Sequence, residues 1–125
     1  MPEGYVLDKP FSLSCPECGG VLRPEQRAGI RQFRCHIGHV LSAETVLVAQ
    51  FALLEKRLAA ALALLNERAE LCHQMAEDAR NAGESASAFE TAAREAWARA
   101  EAVKKLLEGE WMQPLDDAPS PSAVG

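Results

Sequence analysis

A Cys-x-x-Cys pair at Cys15 and Cys18 is followed by Cys35 and His39, and residues 42–110 contain no proline and only two glycines, Gly83 and Gly109. Together these predict the fold class: a small zinc ribbon (a short β-hairpin with two knuckles), then an all-α antiparallel helical hairpin. The composition agrees. Of 125 residues, 48% are hydrophobic and 25% charged, which is globular, and only 6% are aromatic, with alanine concentrated in the second half. The expected organisation is a ribbon over 1–41, a helical hairpin over 42–110 with helices at about 43–82 and 88–108, and a Pro/Ser-rich tail over 111–125 too poor in apolar residues to order.

The ribbon comes first in the chain. Residues 20–24 and 30–35 alternate like two short strands, with 26–29 as the turn. Phe11, Leu13, Val21, Leu22 and Phe33 are its expected core. Cys15-Pro16-Glu17-Cys18-Gly19-Gly20 can clamp a cation from a tight turn, because Gly19 and Gly20 let backbone N–H groups fold toward the sulfurs. Cys35 and His39 stand four apart, and Gly38 gives the chain freedom to aim the ring. Cys15, Cys18, Cys35 and His39 are therefore the expected ligands of one structural Zn²⁺ per chain. His36 should point away from a metal that Cys35 already holds, though His36 in place of His39 stays open.

Four protein ligands leave no position for water, so the reading is non-enzymatic. Zinc of this kind can supply on the order of 10 kcal/mol of folding free energy, enough to hold a module with few core residues. Iron in the same cage needs no different spacing, although a histidine ligand favours zinc. Covalent haem would need a histidine directly after Cys18, where Gly19 stands.

In the first helix Ser42 is the expected N-cap, with Glu44 near the positive end of the dipole. Apolar residues then recur at steps of three and four from Leu47 through Leu58 and Leu65 to Ala79, a coiled-coil seam with one stutter. Cys72 falls on this seam as a small core residue, and its neighbour His73 should face water. Gly83 is the expected stop. Ser87 to Glu90 reads as a capping box that opens the second helix, whose seam runs Phe89, Ala93, Ala96, Ala100, Val103 and Leu107. Trp97 lies beside that seam, and Gly109 ends the helix. By length the second helix covers only about 62–82 of the first. The remainder, 46–54 and 58–65, is apolar on nearly every side, which predicts a homodimer through this part of the long helix and an unidentified protein partner.

The run Cys15 to Leu22, then Phe33-Arg34-Cys35-His36-Ile37-Gly38-His39, then Ser42-Ala43-Glu44, resembles the carboxy-terminal extension of some bacterial chemotaxis-type protein-glutamate methylesterases. In that group a Phe-Arg-Cys-x-x-Gly-His segment leads directly into an alanine- and leucine-rich helical hairpin. The resemblance covers about residues 10–108. It implies the same four ligands and a place in a chemosensory or signalling pathway. It brings no activity, because the esterase chemistry belongs to a separate domain with serine, histidine and aspartate, and no glycine-flanked serine elbow occurs here.

The leading expectation is an interaction or scaffold module. One alternative is nucleic-acid binding through Arg23, Arg27, Arg31 and Arg34 with Phe33 among them. Glu17, Glu25 and a formal charge of −5 argue against it. Another is a thiol-based metal or redox switch, although the βαβ setting of a redox Cys pair is absent. With no signal peptide and no run of about 18 uncharged apolar residues, the chain is expected in the cytoplasm, away from membranes.

Overall fold

The computed structural model describes Tyr5, residues 7–109 and Trp111. Four strands, β1 (Leu13–Ser14), β2 (Val21–Arg27), β3 (Ile30–Cys35) and β4 (Val40–Ser42), precede two helices, α1 (Ala43–Asn81) and α2 (Ser87–Glu108). The chain divides into two compact units, Met1–Gln50 and Phe51–Gly125.

In the first unit the strands form one antiparallel sheet in the order β1-β2-β3-β4. The β2–β3 hairpin pairs Arg27 with Ile30, so its turn is only Ala28-Gly29, tighter than the four-residue turn the sequence indicated. Both turn residues have positive φ, 54° and 79°, the backbone that matches the strand twist in two-residue hairpins. Leu22, Phe33 and Leu41 share the inner face of the sheet and pack with Cys15, Cys35 and Val46, while Leu13 and Ala43 lie at the margin.

Two expected core residues are not in this core. Phe11 is fully exposed and Val21 is 57% exposed. Val21 pairs with Ser14 and lies one residue from Leu22, so the pleat turns it to the outer face. Phe11 precedes β1 and is held by no strand.

Ser42 ends β4 and caps α1: its hydroxyl accepts the Thr45 N–H at 3.1 Å, as the sequence indicated. Gly83, with φ of 75°, stops the helix. Its N–H donates to the Arg80 carbonyl at 3.1 Å, and Glu84 N–H reaches the Ala79 carbonyl at 2.8 Å, the paired bonds of a Schellman motif.

The second unit is the helical hairpin. Ala69, Cys72 and Ala76 of α1 and Ala96 and Ala100 of α2 are its buried residues, joined by Ala86 in the link. These are the seams read from the sequence. The capping box at Ser87 does not form. The cap position is Ala86, without a side-chain cap bond, and Ser85 Oγ accepts the Ser87 N–H instead. Glu90 is engaged elsewhere, in an ion pair with Arg80 of α1 at 3.4 Å.

Cover along α1 also extends beyond 62–82. Past Gly109, Trp111 donates its indole N–H to the Leu106 carbonyl at 3.0 Å and sets its ring 6.4 Å from that of Phe51. Helix length alone does not reveal that side chain, which by sequence falls in the Pro/Ser-rich tail. The rest of the tail, 112–125, lies outside the described residues. Among the described residues no helix is long and apolar enough to cross a membrane.

Candidate metal centre

Strand pairing builds the site. The register Leu22↔Cys35 brings the ends of two tight loops to the same end of the sheet. The first loop runs from Cys15, just after β1, to Gly20, just before β2. The second runs from Cys35, the last residue of β3, to His39, just before β4.

The two loops are built alike. Cys15 N–H donates to Gly20 O at 2.6 Å, and Cys35 N–H to His39 O at 3.0 Å. Each cysteine carbonyl accepts from a glycine N–H, Gly19 at 2.8 Å and Gly38 at 3.0 Å. Both glycines have positive φ, 77° and 98°, which a Cβ would oppose. Gly20 has another role, since a Cβ there would lie 2.5 Å from Cε1 of His36.

The loops gather the sulfurs of Cys15, Cys18 and Cys35 and a ring nitrogen of His39 within 4.8 Å of one another, a group that could hold a metal ion. His39 Nδ1 stands 3.3 Å from the Cys35 sulfur and 3.8 Å from that of Cys15. For metal–sulfur bonds near 2.3 Å and metal–nitrogen bonds near 2.0 Å, a tetrahedron requires sulfur–nitrogen edges of about 3.5 Å. The donor set fits such an ion in type and in spacing. His36 is outside the group, its ring lying over Gly20.

Thiol chemistry follows from the same geometry. Burial raises the Cys35 thiol, but donation from the Ile37 and His39 backbone N–H groups and from Cys18 and His39 outweighs it, bringing Cys35 down to about 7. Cys15 is lowered on the same balance, burial opposed by the backbone of Cys18 and Glu17. Cys18 is raised: a bond from the Gly20 backbone lowers it, but burial and the neighbouring thiols prevail. His39 is raised, first by its bond to Cys15.

Glu17 belongs to the site, although in the sequence it stands out only as an acid among the ribbon's arginines. Its carboxylate lies 3.5 Å from His39 Nε2, the nitrogen facing away from the sulfurs. Its place inside the Cys-Pro-Glu-Cys loop was the available signal.

The four arginines do not form one face with Phe33. Arg23, Arg27 and Arg34 share the outer face of the sheet with Glu25, while Arg31 and Phe33 occupy the other. Phe33 is 9% exposed, and Arg34 is paired with Glu25 at 3.3 Å. Pleating separates residues that composition placed together. In the hairpin Cys72 is buried on the seam, and the exposed His73 pairs with Glu77 at 3.2 Å.

No protein-family model, no curated protein and no solved structure matches the chain.

Proposed function

We propose that the chain is a non-enzymatic interaction module whose sheet region is a zinc ribbon, held by one structural Zn²⁺ on Cys15, Cys18, Cys35 and His39, and whose helical hairpin is the docking element. The observation that carries it is the convergence of three thiol sulfurs and one imidazole nitrogen from two separate loops within 4.8 Å. When bound, zinc supplies a cross-link and no reaction, because its four positions are taken by protein. Cys15 and Cys35, each 1% exposed, are the inner pair, and Cys18 closes the solvent side.

A homodimer and a protein partner remain part of this proposal, supported by large apolar side chains exposed on α1, among them Val48 and Leu64. A role beside a bacterial chemosensory or signalling pathway in the cytoplasm rests on the motif resemblance alone. Nucleic-acid binding is not favoured, given the buried Phe33 and the Glu25-paired Arg34.

Native mass spectrometry before and after a chelator tests the reading. One zinc per chain, lost together with the dispersed NMR signals of residues 13–42, is the expected outcome. A chain purified metal-free with its sheet intact overturns it.

A further inference from the structure

We infer that α1 carries a self-complementary stripe through which two copies of this chain pair antiparallel, about a twofold axis passing between Glu67 and Arg68. The inference rests on reading the hairpin as the docking element, and it names that element's partner.

From Arg57 to Leu71 the stripe lies on the flank of α1 turned away from α2, and at its carboxy-terminal end Met75 and Asp78 border a groove shared with Phe89 of α2. Buried Ala69, Cys72 and Ala76 mark the side facing α2. At about 100° per residue, Leu64, Leu71 and Met75 fall roughly 90–130° around the helix from that seam. They are 65%, 56% and 39% exposed, although the sequence pattern gives them helical spacing. Isolated exposed leucines are unremarkable, but aligned ones mark an interface.

What identifies the occupant is the order of residues along the stripe. From Arg57 it proceeds through Ala60, Leu64, Leu71 and Met75 to Asp78, in steps of three, four, seven, four and three. The spacing is the same in both directions. A second α1 laid antiparallel therefore sets Leu64 against the partner copy's equivalent of Leu71, and Ala60 against that of Met75. A small residue meets a large one, as close packing requires.

Charge matches in the same register. Arg57 meets the copy's Asp78 at both ends, and Glu67 meets the copy's Arg68 twice at the centre. Among the described residues none of these four takes part in an ion pair within the chain. A parallel pairing would instead oppose Arg57 to Arg57 and Asp78 to Asp78, and like charges at close quarters select against it. The homodimer expected from the sequence was centred on 46–65. The stripe moves it toward the carboxy-terminal half of α1, since Val46 is spent in the sheet core and Phe51 lies against Trp111.

Sedimentation equilibrium of the full chain as purified, with zinc stoichiometry measured on the same samples, tests this. The wild type is expected to dimerise below about 100 µM. Leu64→Glu should weaken the dimer by on the order of a hundredfold, with helical circular dichroism retained. Arg57→Glu should weaken it roughly tenfold, and adding Asp78→Arg to it should restore it. A wild-type monomer at that concentration, an inert Arg57→Glu, or a double variant that fails to recover overturns the antiparallel register. A zinc-bound monomer sinks the stripe and the homodimer together but leaves the zinc site standing, whereas a metal-free dimer sinks the zinc reading and leaves the stripe standing.

Discussion

The sheet region and the helical hairpin solve the same problem by opposite means. In the sheet region the buried apolar side chains are Leu22, Phe33, Leu41 and Val46, and two of the most buried positions are cysteines. Such a core removes little apolar surface from water for the backbone it must order. The hairpin has an even less bulky seam, mainly alanine. Its backbone, however, satisfies its own hydrogen bonds turn by turn, and alanine loses no side-chain entropy on ordering. The difference teaches where each region is vulnerable. On the proposed reading the first depends on four side chains converging on one metal ion, the second on many small contacts spread along a line.

The largest expected effect therefore comes from Cys35→Ser. It removes a proposed ligand that is also part of the core, and residues 13–42 should lose their dispersed NMR signals while most helical circular dichroism persists. Loss of helix in proportion to sheet would show that the regions do not stand independently. The converse change is Ala76→Leu, at a position 1% exposed in the seam. Overpacking there should cost about 1–3 kcal/mol in thermal unfolding of the hairpin, with zinc content unchanged. A variant that melts like the wild type would mean the seam has slack to absorb three more heavy atoms.

Legibility in the sequence divides along the same line. The four side chains that converge within 4.8 Å could be read because a metal-capable group fixes residue type and spacing together, and the length of α1 could be read because Ser42 and Gly83 punctuate it. Three features were not legible. Phe11 was hydrophobic with no strand to place it, so its burial could not follow from type alone. Arg23, Arg31, Arg34 and Phe33 are close in sequence, but the pleat assigns them to opposite faces, and only the register determines which. Ser87 had the right partner three residues on, yet Glu90 found Arg80 across the hairpin, a tertiary competitor invisible to a local motif.

Two substitutions with the same physics and opposite signs sharpen the contrast. Gly83 ends α1 at φ of 75°, whereas Ala28 occupies the β2–β3 turn at φ of 54° with a Cβ in place. Gly83→Ala should lower hairpin stability by about 1 kcal/mol, and Ala28→Gly should raise sheet stability by a comparable or slightly smaller amount. Denaturant titration followed separately through helix and sheet signals checks both. An effect of Ala28→Gly on the helical transition would break the two-region picture.

A change of pH between about 9 and 7 should act first on the sheet region. With Cys35 at about 7 against an ordinary 9.0, folding favours its thiolate. That contribution is complete above pH 9.0 and is lost as pH falls through about 7. His39 is shifted the other way, so its contribution is present at low pH and fades as pH rises. Protons compete with a metal for the same sulfurs, and Cys18, raised, must surrender one when zinc arrives. Zinc uptake at pH 7 should release at least one proton in calorimetry across two buffers, with affinity rising toward pH 9. Uptake without proton release would mean that Cys18 is not a ligand.

The smallest predicted effect lies at the site's margin. Glu17 faces His39 Nε2 at 3.5 Å while Nδ1 faces the sulfurs, so the carboxylate favours the tautomer that leaves Nδ1 free to ligate. Outer partners of ligating histidines commonly matter by tenfold or more, but a carboxylate this open to solvent is screened. Glu17→Gln should weaken zinc by about threefold to tenfold in competition with a chromophoric chelator, and Glu17→Asp should recover part of the loss. A purely steric role would leave the ring nitrogen chemical shifts of His39 unchanged, whereas tautomer control moves them in step with affinity. Hairpin melting should not respond to either variant. If zinc affinity and the His39 shifts are both unmoved in Glu17→Gln, the two loops alone orient the ring, and Glu17 is only a charge at the rim.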